Sequence, residues 1–137
     1  MATPTLTVSA DYISEYDAIL KAMDFYVTGL RDGDGKTMSR GFLPDATGSG
    51  YFQGSLIQGS MQQVFDLVSQ NGPAPKLEAR FADVEIMGTL ALVRLEVSGW
   101  SGKVAGETPL KMSDLFTLVK TGAEWKIAFK GWHFYSA

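Results

Sequence analysis

Residues 112–134 read MSDLFTLVKTGAEWKIAFKGWHF, and the period of that stretch decides the architecture. Met112, Asp114, Phe116 and Leu118 alternate with Ser113, Leu115, Thr117 and Val119, Thr121-Gly122 supplies a turn, and a second alternating run follows from Glu124 to Tyr135. Alternation with period two on both sides of a short Gly-containing turn is the signature of paired antiparallel strands. On strict alternation the last strand carries Trp125, Ile127, Phe129 and His133 on one face, and Lys126, Ala128, Lys130, Trp132 and Phe134 on the other. The same pattern extends upstream through Lys76–Met87 and Thr89–Trp100, with turns at Gly88 and between Gly99 and Gly106. Four consecutive antiparallel strands are therefore expected in the second half of the chain.

The first half changes period. From Asp11 to Arg31, Ile13, Tyr16, Leu20, Met23, Val27 and Leu30 recur at three- and four-residue spacing, one stripe of a helix about 30 Å long. Tyr12, Ile19 and Tyr26 join this stripe, Tyr26 at its edge. Asp32-Gly33-Asp34-Gly35 ends the helix, and a short helical segment from Lys36 to Phe42 should stop before Pro44, because the residue preceding proline avoids the α region. Tyr51-Phe52 and Leu56-Ile57, set among glycines, read as two short strands or an irregular hairpin. Ser60 to Gln63 has capping-box spacing before Met61, Val64, Phe65 and Val68, and Asn71-Gly72-Pro73 stops this third helix. The organisation is a flexible tail over residues 1–10 and a single α+β domain over 11–137.

Composition narrows the functions. The chain has 137 residues, a formal net charge of −3 and 12 dispersed Lys and Arg, which leaves no electrostatic footprint for nucleic acid. It has no Cys and one His, so thiolate chemistry, Cys-ligated metals and a multi-His metal site within one chain are excluded, and no metal or cofactor is expected. No apolar run approaches the ~18 residues of a membrane span. The opening MATPTLTVSA lacks the basic and apolar regions of a secretory signal, so a cytoplasmic location is expected. Gly35-Lys36-Thr37 echoes a phosphate loop but has Leu30 where the first glycine should stand, and Asp32-Gly33-Asp34 starts a calcium-like loop without its Gly or Glu.

The order of elements and residues 112–134 resemble the SnoaL-like branch of the nuclear transport factor 2-like superfamily, in particular its group described as "putative lumazine-binding". The resemblance is carried by Asp114 in its apolar strand, the Gly122 turn, Trp125-Lys126-Ile127 and His133. YVTGLRDGD at 26–34 followed by FLPDAT at 42–47 resembles the end of the first helix and the following element of the same group. The resemblance implies a cone-shaped (cystatin-like) fold, three N-terminal helices packed on a curved, mostly antiparallel sheet, commonly dimeric. The superfamily also contains ketosteroid isomerases, and Tyr26 and Asp114 resemble their two oxyanion donors. The segment after Asp45, where such an enzyme carries its base, reads Ala46-Thr47-Gly48-Ser49-Gly50-Tyr51 and contains no carboxylate, which argues against that isomerisation.

Candidate site residues follow from both readings. Asp114 interrupts an apolar strand and Tyr26 lies on the helix. His133, the only His, suits proton transfer near neutral pH. These three are the candidate catalytic groups, each with a structural alternative as a satisfied polar residue of the core. Tyr16, Met23, Phe116, Trp125 and Phe129 are the expected walls of a pocket for a flat, apolar small molecule. Trp132 and Phe134, on the other face, are expected to meet a second copy of the chain. Three function classes stand in order: a small-molecule-binding protein, an isomerase- or dehydratase-like enzyme acting on a carbonyl compound, and a dimeric scaffold with no ligand.

Overall fold

The computed structural model describes residues 5–135. Helix α1 spans Thr5–Asp32, α2 Gly35–Ser39 and α3 Gln62–Asn71, while the strands are β1 Phe42–Phe52, β2 Ser55–Ser60, β3 Glu78–Met87, β4 Leu90–Gly102, β5 Gly106–Thr121 and β6 Glu124–Tyr135. The helix thus takes in residues 5–10, read from sequence as tail, and residues 1–4 of that tail lie outside the described residues. None of the described helices is long and apolar enough to cross a membrane.

The strands form one six-stranded sheet in the order β2-β1-β6-β5-β4-β3, antiparallel except for the β1–β6 pair. The four long strands stand where the alternation puts them. The first strand does not: β1 runs through Pro44 and Asp45, and pairs with β2 through a hairpin turned at Gln53-Gly54. Pro44 is tolerated because the β1–β6 register shifts between Phe42 and Thr47, where no ladder hydrogen bond is required of it.

One face of the sheet packs on α1 through Ile19, Ala22, Met23, Tyr26 and Leu30, all buried. This face is rotated from the expected stripe. Tyr26 sits at its centre with no exposed surface, whereas Ile13, expected in the core, is 66% exposed. The facing strand residues Val93, Leu95, Phe116, Leu118 and Ile127 are fully buried.

Shifts of register within the antiparallel pairs reset which side chains face inward. Leu118 pairs with Ile127 and Thr117 with Phe129, which leaves Ala128 without a partner on β5. Beyond this extra residue the parity of β6 inverts, and Lys130, Trp132 and Phe134 face the helices while Phe129 and His133 face outward. A second shift between Val97 and Trp100, at Gly99, turns Trp100 inward, away from the face of Leu92, Arg94 and Glu96 on which alternation put it. Others lie between Trp100 and Gly102 on β4 and between Phe81 and Asp83 on β3.

Asn71 ends α3 and is buried. Its amide accepts hydrogen bonds from the Val104 and Ala105 N–H groups at 3.0 and 2.8 Å, and donates to the carbonyls of Ser101 and Gly72 at 2.8 and 3.0 Å. The residue read as part of a helix stop therefore clamps α3 to the turn between β4 and β5.

Candidate functional site

A cavity opens between α1, α2, α3 and the inverted half of β6. Its floor is Tyr26, Met112, Lys130 and Trp132, and its walls include Leu30, Met38, Val64, Leu67, Trp100 and Phe134. The enclosed part is about 40 Å³, room for a few water molecules, and with its open mouth the space reaches about 450 Å³. Phe52, Trp100 and Phe134 form an aromatic cluster at one end, ring centroids 5.0 to 6.0 Å apart.

Trp132 is held flat against β1. A Cβ at Gly50 would lie 2.6 Å from its indole ring and a Cβ at Gly48 3.0 Å, so the two glycines provide the surface on which the ring rests. Its Nε1 donates to the Tyr51 carbonyl at 3.2 Å. The glycines that sequence marks only as turn punctuation serve instead as a close-packing face.

Three polar groups meet at the floor or just behind it, Tyr26 and Lys130 in the lining and Asp114 buried beneath them. The Tyr26 hydroxyl donates to Asp114 Oδ2 at 2.8 Å, both groups buried. Lys130 Nζ lies 3.6 Å from Asp114 Oδ1, beyond hydrogen-bond length, and 4.9 and 4.8 Å from the ring centroids of Tyr26 and Trp132. Burial raises the Asp114 carboxyl, against the opposing pull of Lys130 and Tyr26. Burial lowers the Lys130 ammonium, against Asp114. The Tyr26 hydroxyl is pushed well above its ordinary value by burial and then by Asp114, so it stays protonated and donates. Among the described residues, two buried side-chain polar atoms have no hydrogen-bond partner, Asp114 Oδ1 and Trp100 Nε1.

The expected site residues separate. Tyr26 and Asp114 come together as a bonded pair at this floor. His133 does not join them: it is exposed on the outer face, edge-on to Tyr135 with centroids 4.7 Å apart, because the Ala128 bulge moved it off the face of Trp125 and Ile127. Met23 and Phe116 are closed in the core, and Trp125 is buried with its Nε1 bonded to Glu15 Oε2 at 3.1 Å. Tyr16 is half-buried against Tyr12, and Phe129 is 36% exposed on the outer face. None of these five lines the cavity. Trp132 and Phe134, expected at a subunit contact, line it.

Lys130 and Trp100 were missed, and a signal for both was present. In β6 the apolar positions shift from odd (Trp125, Ile127, Phe129) to even (Trp132, Phe134) within one strand, and such a change of parity requires a one-residue bulge. Val97 to Trp100 makes the same change across Gly99.

Residues 14–133 match the model of the family described as "Putative lumazine-binding". The chain belongs to this family. Among curated proteins, the aldolase FrzH of a Cladobotryum species is 30% identical over 122 residues, which cover 89% of this chain and 93% of that protein. Two solved nuclear transport factor 2-like proteins of unknown function are similar throughout. The one from Shewanella baltica is 28% identical with a TM-score of 0.82, covering 92% of this chain and 98% of its own. The one from Methylobacillus flagellatus is 31% identical with a TM-score of 0.82, covering 90% and 94%. A ketosteroid isomerase-like protein from Erwinia carotovora, 21% identical with a TM-score of 0.71 and coverage of 88% and 96%, shares the fold. The nuclear transport factor 2-like superfamily and its α+β cone thus agree with the resemblance read from Met112–Phe134.

Proposed function

We propose that this chain binds a flat, mostly apolar small molecule in the cavity floored by Lys130, with an acceptor oxygen of the ligand turned toward Trp100. The observation that carries this reading is the unpartnered Trp100 Nε1, a buried donor in the lining of an otherwise apolar cavity. A buried donor left without an acceptor costs about 1–3 kcal/mol, and a ligand carbonyl would recover that cost. A description that speaks of lumazine binding for the family is consistent with such a ligand. Phosphorylated metabolites fit poorly, because the single cation in the lining already faces Asp114.

Thermal shift and tryptophan fluorescence test this. An aromatic carbonyl compound at a hundredfold excess over its dissociation constant should add about 2.7 kcal/mol of stability and raise the Tm by several degrees. Nucleotides or sugar phosphates that stabilise the fold more than aromatic or polyketide-like compounds would contradict the reading.

An enzyme acting on a carbonyl compound is the second reading, and two observations favour it: the buried Tyr26–Asp114–Lys130 group at the cavity floor, and similarity to a protein named as an aldolase. A trio of Tyr26, Asp114 and His133 acting on one ligand does not suit this geometry, since His133 faces away from the cavity.

A homodimer is part of the same reading, through the outer face of the sheet. Leu115, 48% exposed, and Phe129 stand there beside half-buried Leu92 and Val119. Leu115→Glu combined with Phe129→Glu should give monomers with the cavity intact. Light scattering that finds the unaltered protein monomeric at micromolar concentration would remove the dimer and leave the ligand reading standing.

A further inference from the structure

We propose that Lys130 is an amine nucleophile that captures an apolar aldehyde or ketone as an imine on the cavity floor. This rests on the small-molecule reading above and names the ligand's reactive class. Lys130 is the one buried lysine among the described residues, and its side chain lines the cavity. The ammonium is not fixed by a hydrogen bond: its nearest carboxylate oxygen is 3.6 Å away, and the other oxygen of Asp114 is taken by Tyr26. The remaining lysines differ. Lys120 is bonded to Glu15 and Lys126 to the Arg40 carbonyl, at 2.8 and 2.7 Å, and both lie outside this cavity.

The surroundings supply what imine formation needs. In a dry site a proton can pass from the Lys130 ammonium to Asp114 Oδ1, since two neutral groups cost less to bury than two ions. The burial that lowers Lys130 and raises Asp114 acts in that direction. The free amine adds to the carbonyl carbon as the C=O π pair moves to oxygen, and proton transfer from nitrogen to that oxygen gives a neutral carbinolamine. Asp114 returns its proton to the hydroxyl, the C–O bond breaks, and water leaves as the nitrogen lone pair closes the C=N bond. Amine, carbonyl and one proton thus become iminium and water, with no oxidant or reductant. Trp100 Nε1 is a donor in the same lining for a second oxygen of the ligand.

The test uses the whole protein with 3-phenylpropanal as probe and sodium cyanoborohydride to reduce any imine to a stable secondary amine. Binding of the probe is followed separately by fluorescence of Trp100 and Trp132. Peptide mapping should find Lys130 modified about tenfold or more faster than any exposed lysine at neutral pH, because burial favours its free amine over the ammonium. An excess of 3-phenylpropanol, which lacks the carbonyl, should slow that labelling, a control that does not depend on a variant folding. Lys130→Met should abolish the fast adduct. Fluorescence change without a selective adduct overturns the nucleophile and leaves the binding reading intact. Neither binding nor adduct overturns both.

Discussion

Asp114→Leu is expected to destabilise the protein by about 3–5 kcal/mol, because it leaves Lys130 as an uncompensated buried cation and the Tyr26 hydroxyl without its acceptor. The triple variant Tyr26→Phe, Asp114→Leu, Lys130→Met should regain most of that loss, and apolar replacement of a buried pair often ends neutral or more stable. Chemical denaturation at constant m-value measures both. If the triple variant is as unstable as the single one, the three groups contribute to the fold beyond satisfying one another. The pH response of Lys130→Met carries a sign. Removing the cation takes away the largest influence that lowers Asp114, so its already raised folded-state pKa rises further. A folded pKa above the unfolded one means that stability is fully present below the usual aspartate value of 3.8 and is lost as pH rises through the folded value. Relative to the unaltered protein, Lys130→Met should therefore lose more stability at neutral than at acid pH.

Asn71→Ala should cost about 2–5 kcal/mol. It orphans two backbone donors, at Val104 and Ala105, and removes donors from two carbonyls, with Ala105 and Asn71 itself buried. Asn71→Asp keeps the acceptor for Val104 and Ala105 but sets a carboxylate against the Ser101 and Gly72 carbonyls, so it should not rescue. Urea unfolding that places Asn71→Ala within about 1 kcal/mol of the unaltered protein would mean that water replaces the amide. Because α3 contributes Val64, Leu67 and Val68 to the cavity wall, the loss should also weaken ligand binding beyond the general loss of fold.

The contrast between what could and could not be read from the chain has a physical basis. Hydrophobic period identified α1, α3 and the four long strands, since each buries one face over many residues and the signal accumulates. β1 escaped because its inward positions at Gly48 and Gly50 have no side chain to mark them, the packing being provided by Trp132. Tyr26 and Asp114 were legible as polar residues in apolar periodic runs, and the structure joins them. The rest of the site was not, because it lies beyond two bulges. Alternation is a parity argument, and one unpaired residue reverses every assignment after it. His133 and Phe129 were carried to the wrong face by Ala128, and Lys130, Trp132 and Phe134 away from the right one.

The unpaired Ala128 has a consequence for how such a chain can change over generations. Deleting this one codon would restore regular pairing from Trp125 to Tyr135 and keep Lys130, Trp132 and Phe134 toward the helices, whereas pairing the same residues without the bulge would send Phe129, Gly131, His133 and Tyr135 inward instead. Drawing Ala128 into register would thus exchange an interior lined by an amine and indole for one containing an imidazole, whereas an in-frame loss of Ala128 would preserve the cavity. Alignment of relatives across Ile127–Lys130 should accordingly be judged by which residues face inward, since a one-residue gap there joins proteins with like interiors, while a relative of equal length that lacks the bulge has an unlike interior even when the letters agree.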